Sequence, residues 1–409
     1  MKIIILFCQF FILAPLLFFR PAAFCQEIFH NGGTGDCQEC HTTPPALIGS
    51  DASSTCLRCH QGRTGTSLTS QHHIATDTAS SPLCRQLPPG GDFCWLKKNY
   101  TWPVAEGMDF TLRSEGDNHG HNIVALDYGY GPDSNYAVAP GGTYPASSLS
   151  CISCHDPHGS YRRLEDGTIT TTGPPIIASG SYADSPDPEA DKSVGVYRLL
   201  AGQGYQPKSR PGVPVFSSDP PVAIAPSHYN RAETSGDTRV VYGSGMTEWC
   251  QNCHHQLNSF YKHPVGRNAV FTSQIISNYN SYISSGDATG NYTSSYTSLV
   301  PYEIGSKDYS LVKTRAATMD SSGPAGGVNV MCLSCHRAHA SGWDNMLRWN
   351  MNAEFIIYEG VFPGIDNNSP AHLAQGRTAA ETQKTFYDRL ASDYSRFQKN
   401  LCNKCHGRD

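Results

Sequence analysis

Charged residues are scarce in this sequence. Asp, Glu, Lys and Arg make up 16% of its 409 residues, whereas about a quarter is usual in soluble domains. The net charge is only −5, so the chain lacks the basic field that would attract nucleic acid. Because it also contains 16 Phe and 21 Tyr, it does not have the highly charged, aromatic-poor composition that is typical of disordered chains.

Regular patterning is missing as well. Gly (38) and Pro (27) are frequent, and the intervals 129–149, 165–190 and 202–227 are rich in Gly, Pro, Ser and Thr. No stretch keeps a period of 2 or 3.6 residues over the length of a domain, which argues against a conventional sheet or helical bundle. Two helices are nevertheless predicted. One starts at the capping box Thr378–Glu381 and runs to the last cysteine motif, and a weaker one spans 344–358.

An apolar run that approaches the length of a membrane span occurs only at the start of the chain. A basic residue follows Met1, residues 3–19 are almost wholly apolar, and small residues then precede Cys25. This is the layout of a secretory signal peptide over residues 1–25, with cleavage after Ala23 or Cys25. The alternatives are an uncleaved membrane anchor and lipidation of the cysteine. We therefore expect an exported protein in which residues 26–409 form a single elongated unit.

What the sequence has in excess is Cys (16) and His (17). Twelve of the Cys fall into six copies of the pattern Cys-x-x-Cys-His. The copies comprise Cys37, Cys40 and His41; Cys56, Cys59 and His60; Cys151, Cys154 and His155; Cys250, Cys253 and His254; Cys332, Cys335 and His336; and Cys402, Cys405 and His406. This pattern is typical of c-type haem attachment, because the two thiols reach the two vinyl groups of one porphyrin and the adjacent His lies under the iron. The sequence therefore predicts six covalent haem c groups.

Other uses of paired cysteines explain the pattern less well. Zinc sites have no need of a His directly after each Cys pair. Thioredoxin-like redox pairs occur in a βαβ context that is missing here, and disulfides alone do not impose the spacing. Two further Cys of the mature chain, Cys84 and Cys94, lie outside the motifs. In an oxidising compartment we expect these two to form a structural disulfide.

Six more axial ligands would saturate six irons, and eleven His lie outside the motifs. His158 and His339 are the sharpest candidates, since each follows a motif His by three residues. Such a His cannot reach the other face of the same haem but can reach a neighbouring haem, which predicts a contiguous row of haems. His73, His121 and His263 are weaker candidates. Five others occur in polar, loop-like sequence and are expected to be exposed. These are His72, His119, His228, His255 and His372.

Many short segments outside the bare motif carry a family resemblance. They are Phe29–His30, Pro89–Phe93, Lys97–Lys98, Gly120–Ala125, Ala139–Ala146, Cys154–Gly159, Arg162–Arg163, Tyr205–Ser209, Gly245–Met246, Glu248–Cys250, Cys332–Gly342 and Leu401–His406. On these segments the chain resembles the OmcS-type hexahaem cytochromes, the extracellular cytochrome filaments of metal-reducing bacteria. The resemblance covers nearly all of the mature chain.

This resemblance implies a mostly irregular fold with a few short helices and minimal strand, wrapped around a chain of six bis-His haems. It also implies end-to-end polymerisation into a conducting filament. The family's distal-type ligands fall on His73, His121, His158, His263 and His339, and His30 is matched as well.

The chain departs from the family pattern at Pro44. The family has a His at this position, three residues after the His of the first motif, and donates it to a haem of the next subunit. The candidates to replace it are His30 and a spare His such as His72. The pair Cys84 and Cys94 is a second departure.

The sequence therefore predicts electron transfer and no enzymatic activity. The expected partners are copies of the chain itself, other multihaem cytochromes and extracellular electron acceptors, with no nucleic acid and no stable membrane span. One alternative is a monomeric periplasmic electron shuttle. Another is a multihaem reductase with one open haem, although every motif ends in His and the surplus of His favours saturated irons.

Overall fold

Most of the chain lies in turns, bends and irregular loops in the computed structural model. The structure describes residues 37–62, 73–76, 88–104, 110–226, 240–256, 263–281, 290–318 and 321–407. The predicted signal segment, His30 and Cys84 lie outside these ranges.

The helices are few and short within the described ranges. The α-helices are α1 Ala52–His60, α2 Met246–Cys250, α3 Ser273–Asn280, α4 Tyr309–Ala317, α5 Cys332–Cys335, α6 Ala371–Ala374 and α7 Ala379–Thr385. Single 3-10 turns occur at Cys37–Glu39, Phe93–Lys97, Gly116–His119, Leu126–Tyr128, Ala146–Ser148, Cys151–Ser153, Tyr197–Leu199, Ser295–Thr297, Asp344–Met346, Ala391–Asp393 and Leu401–Lys404.

The strands have two to four residues each. They are β1 His41–Thr43, β2 Ala46–Leu47, β3 Gln61–Gly62, β4 Ala75–Thr76, β5 Tyr100–Pro103, β6 Thr111–Ser114, β7 Arg162–Arg163, β8 Ile169–Thr170, β9 Val194–Gly195, β10 Ala223–Ile224, β11 Val241–Tyr242, β12 Phe355–Ile357 and β13 Gln398–Lys399. They pair as β1–β2, β3–β4, β5–β6, β10–β11 and β12–β13, and as a three-stranded sheet in the order β8–β7–β9. Only β3–β4 is parallel among these pairs. The predicted architecture of short helices and minimal strand in an irregular chain is confirmed.

The helix predicted from Thr378 is confirmed at its start and wrong at its end. The capping box forms as predicted, since Glu381 N donates to Thr378 Oγ1 at 3.2 Å and Thr378 N donates to Glu381 Oε2 at 3.1 Å. The helix ends at Thr385 because Tyr387 and Asp388 take left-handed φ values of 60° and 56°. A 3-10 turn and β13 then carry the chain to the last motif.

The second predicted helix, over 344–358, is wrong. This segment holds one 3-10 turn and β12 instead. Asn345 and Met346 have φ values of 58° and 57°, which break a helix at its first turn.

The buried side chains form five separate clusters among the described residues, not one core. The largest contains Phe271, Tyr302, Trp343, Trp349 and Phe386, with partly buried Cys of the fifth and sixth motifs packed against it. Cys of the third and fourth motifs pack against three of the other clusters. The predicted attachment sites of the third to sixth motifs therefore border the clusters. In the ranges given above, no helix is long and apolar enough to cross a bilayer.

Candidate haem sites

Each Cys-x-x-Cys-His motif lies on a helical turn, and the turn brings its three side chains together. In the third to sixth motifs, the N–H of the His donates to the carbonyl of the first Cys at 3.0–3.1 Å. Polar side chains close these turns. Ser153 Oγ accepts from Ser150 N at 2.9 Å, Ser334 Oγ accepts from Met331 N at 3.1 Å, and the side chain of Asn400 caps the last motif. The third to sixth copies of the pattern therefore fold locally into four similar turns.

The second motif is carried by α1, whose N-cap is Asp51. Its carboxylate accepts from Ser54 N at 2.7 Å and from Leu126 N at 2.8 Å. The helix ends at His60, so both Cys of the motif lie on its last two turns. A backbone bond from Ile74 N to the carbonyl of His60, at 2.9 Å, then places His73 beside this motif.

The six turns follow one another in space in the order of the sequence. The side chain of Cys56 adjoins that of Cys151, and the side chain of Cys250 adjoins that of Cys332, which places the second motif beside the third and the fourth beside the fifth. The remaining neighbours act on the pKa of the second Cys of the first, third and fifth motifs. Burial and then nearby Cys59 raise the pKa of Cys40, burial and then Cys253 raise the pKa of Cys154, and burial and then Cys405 raise the pKa of Cys335. The attachment turns thus form one continuous row.

Two of these junctions are built in the same way. The hydroxyl of Ser53, three residues before Cys56, accepts from Cys151 N at 3.1 Å. The hydroxyl of Thr247, three residues before Cys250, accepts from Cys332 N at 3.2 Å. A short side chain of one motif's helix therefore fixes the start of the next motif in both places.

Four motif histidines each face a second histidine ring. The pairs are His41 with His158 at a centroid distance of 6.5 Å, His155 with His339 at 6.5 Å, His254 with His121 at 6.1 Å, and His406 with His263 at 6.2 Å. A metal bound between two imidazole nitrogens at about 2 Å each separates the ring centroids by about 6 Å. All four pairs match this spacing, so the donor set fits a six-coordinate haem iron.

Backbone carbonyls orient these rings. The Nδ1 atom donates to a carbonyl in six His: His121 to Ala338 (2.7 Å), His155 to Arg198 (2.8 Å), His254 to Pro140 (2.8 Å), His263 to Pro264 (3.1 Å), His336 to Asn345 (2.7 Å) and His339 to Gly91 (3.3 Å). Because Nδ1 carries the proton, Nε2 keeps its lone pair for a metal. Burial also lowers the pKa of His121 to about 4 and the pKa of His339 to about 3, which keeps both rings neutral.

Two of these carbonyls each belong to the first residue of a pair with left-handed backbone conformation. Arg198 and Leu199 have φ values of 52° and 53°, and Asn345 and Met346 have 58° and 57°. The carbonyls of Arg198 and Asn345 accept from the Nδ1 atoms of the third and fifth motif histidines. A left-handed residue other than glycine costs about 1 kcal/mol or more. In both places this backbone strain accompanies the positioning of a ligand histidine.

The structure does not pair every predicted ligand. Among the described residues, no second histidine ring faces His336. Pro44 lies in an exposed turn between β1 and β2. His30 lies outside the described ranges. Cys94 is buried, but Cys84 lies outside those ranges too, so their disulfide stays a prediction.

The expectation for His119 is wrong, because this residue is fully buried. Its Nδ1 bonds to the carbonyl of Trp95 at 2.9 Å and its Nε2 bonds to Ser114 Oγ at 2.8 Å, so both nitrogens are engaged within the protein. No signal in the polar sequence around it predicts this burial. His255 and His372 are exposed as expected, and His72 and His228 lie outside the described residues.

The comparisons with known proteins agree with one another. No protein-family model matches the chain. In an alignment of 431 positions that covers 97% of each protein, the chain is 47% identical to the C-type cytochrome OmcS of Geobacter sulfurreducens. Its fold matches two structures from that organism, described as a cryo-EM structure of the OmcS nanowires and as an outer membrane cytochrome S filament. Each has a TM-score of 0.83 and 45% identity, and each match covers 93% of this chain and 100% of the other.

Proposed function

Because this chain belongs to the OmcS family of c-type cytochromes, we propose that it transfers electrons through six covalently attached haem c groups and assembles end to end into an extracellular filament. The observation that carries the proposal is the set of four imidazole pairs at 6.1–6.5 Å, each joining a motif histidine to a distant one. The count of six follows from the six copies of the attachment motif.

The twelve motif cysteines would hold the haems as thioethers, and the six motif histidines would be the proximal ligands. The four paired histidines would be distal ligands in the pairs described above. His73 would serve the haem of His60, since the backbone beside it is bonded to that residue.

Haem iron, when bound, supplies reversible one-electron oxidation and reduction. The chain's own part is to hold each imidazole neutral, through burial and a carbonyl bond, and to keep the attachment turns adjacent and in order. Axial positions filled by histidine leave no room for a substrate, which favours electron transfer over a reductase. Bis-His ligation also favours low potentials.

The sixth ligand at His336 would come from a histidine outside the described residues, His30 or His72, of the same copy or of a neighbouring copy. Pro44 has no side-chain donor, so it cannot supply the bridge between subunits that the resemblance implies. Assembly into a filament is favoured over a periplasmic shuttle because both matched structures are filaments, and this chain matches the full length of their subunit.

Two measurements on secreted holoprotein test the proposal. Intact mass should exceed that of the mature chain by six haems, and a variant with both Cys402→Ser and Cys405→Ser should lose one of them. Fewer than six haems in the unmodified protein would overturn the count. Cryo-EM of the same material should show filaments, and discrete particles at all concentrations would overturn the assembly.

A further inference from the structure

Glu303 is a fully buried carboxyl group in the segment between the fourth and fifth motifs. Hydrogen bonds to two other segments of the chain hold the backbone here. Glu303 N donates to the carbonyl of Asn329 at 3.0 Å, Asn329 N donates back at 2.9 Å, and Ile304 N donates to the carbonyl of Tyr242 at 2.8 Å. The position of the carboxyl group is therefore set by the fold and not by a flexible loop.

The two carboxyl oxygens have different surroundings. Oε1 accepts from Gly245 N at 3.2 Å and from Met246 N at 2.9 Å, at the start of α2. Oε2 is buried and makes no hydrogen bond within the part of the chain that the structure describes. A buried carboxylate with one bare oxygen is costly when ionised, whereas a protonated carboxyl group is not.

This carboxyl group lies at the junction of two attachment turns. α2 begins at Met246, whose N–H the carboxyl group accepts, and ends at Cys250, whose side chain adjoins that of Cys332. Thr247, the next residue of α2, accepts a hydrogen bond from Cys332 N at 3.2 Å, so the same end of the helix also touches the start of the fifth motif. The fourth and fifth haem sites therefore share this buried acid.

The charged groups around Glu303 do not stabilise its anion. A charged group that acts on it is another carboxylate, Glu248, which is paired with the exposed guanidinium of Arg267 at 3.2 Å. Burial raises the pKa of Glu303 to about 7, although the N–H groups of Met246, Gly245 and Thr247 favour the anion, and the charge of Glu248 adds to the rise. A change of one charge nearby is therefore enough to move its proton at neutral pH.

We propose that Glu303 takes up a proton when the haems of the fourth and fifth motifs are reduced and releases it when they are oxidised. The inference rests on the proposed function. In the coupled step one electron from an external reductant converts ferric to ferrous iron, and one proton from solvent converts the carboxylate to the carboxylic acid. The lost positive charge at iron is thus matched by a lost negative charge at Glu303. By linkage, the midpoint potential of these haems falls as pH rises through the titration of Glu303, and is flat well above and well below it.

Spectroelectrochemical titration of the holoprotein from about pH 5 to about pH 9 tests the proposal. In the unmodified protein the midpoint potential of part of the haem population should fall with rising pH. In Glu303→Gln, whose side chain is similar in shape but neutral, that fall should vanish and the potential should stay near the low-pH value. Glu248→Gln is the matched control. Although burial raises the pKa of Glu248, backbone N–H groups and the guanidinium of Arg267 lower it overall. This variant should therefore keep the pH dependence, moved to lower pH because the charge of Glu248 no longer raises the pKa of Glu303.

An unchanged pH dependence in Glu303→Gln would overturn the proposal. A second readout needs no variant: the infrared difference spectrum on reduction near neutral pH should gain the C=O stretch of a buried carboxylic acid. Its absence would overturn the proposal as well. Failure of the proposed function is distinguishable, because a chain without haem would show neither a Soret band nor a midpoint potential.

Discussion

The imidazole of His254 faces that of His121 with their centroids 6.1 Å apart, and each ring is fixed by its own backbone carbonyl. His254 belongs to the fourth motif, whereas His121 follows a 3-10 turn far earlier in the chain. The acceptor for His121 is the carbonyl of Ala338, two residues after the His of the fifth motif. A distal ligand of one site is thereby tied to the attachment turn of the next, so neighbouring sites are built together.

Replacing His121 should open one haem only. In His121→Ala, about one haem in six should change from low-spin to high-spin and bind carbon monoxide when reduced, because a missing axial ligand leaves the iron five-coordinate. Electron paramagnetic resonance of the holoprotein measures this change. His255→Ala is the control, since this exposed neighbour of His254 should leave all haems low-spin. A fully low-spin His121→Ala protein would show that another residue ligates this iron.

Gly142 should not tolerate a side chain. A Cβ at this position would lie 1.8 Å from the carbonyl oxygen of Cys253 and 3.6 Å from Cα of His254. Gly142→Ala should therefore displace the fourth motif and lower the free energy of unfolding by about 2–4 kcal/mol. Denaturant unfolding followed by the Soret band measures it. Gly131→Ala, where nothing lies within 4 Å of the added carbon, should be nearly neutral. Equal stability of the two variants would contradict the prediction.

We expect the backbone conformation of Asn345, and not its side chain, to affect stability and the haem site at His336. Its φ of 58° lets its carbonyl accept from Nδ1 of His336 at 2.7 Å. Asn345→Val should lower the free energy of unfolding by about 1–2 kcal/mol, because a β-branched residue resists this conformation. The resonance Raman or paramagnetic signature of one haem should shift as well. Asn345→Gly should retain both stability and signature, and a loss in the Gly variant would mean that the amide side chain is the working group.

The attachment turns could be predicted from the sequence because their geometry is local. Two Cys and a His within five residues close one helical turn, and a Ser or Asn nearby supplies the closing hydrogen bond. The capping box at Thr378 was likewise readable, since both its partners lie within four residues. In both cases the atoms that form the hydrogen bonds are close in sequence.

The ligand pairs and the end of α7 could not be predicted in the same way. The pairing of His155 with His339 depends on carbonyls offered by Arg198 and Gly91, which lie far from both rings in sequence. Tyr387 and Asp388 are left-handed although neither is a glycine, so the sequence does not mark this break. The apolar periodicity beyond α7 therefore predicted a longer helix, which tertiary contacts override. The burial of His119 likewise depends on partners that lie farther away in sequence, such as the carbonyl of Trp95.

The iron at His336 should take its sixth ligand from His30 or His72. All four paired motif histidines face a ring of the same copy, whereas His336 faces none among the described residues, and the position that bridges subunits in the family is Pro44 here. His30→Ala or His72→Ala should therefore convert about one haem in six to high-spin, as measured by paramagnetic resonance.

If the ligand comes from a neighbouring copy, the same variant should also shorten or abolish filaments in cryo-EM, and dilution of the unmodified protein to single copies should raise the high-spin signal. His372→Ala, at an exposed site, is the control. Two variants that both remain fully low-spin would rule out these donors, and a high-spin signal already present in unmodified filaments would show that this iron is open.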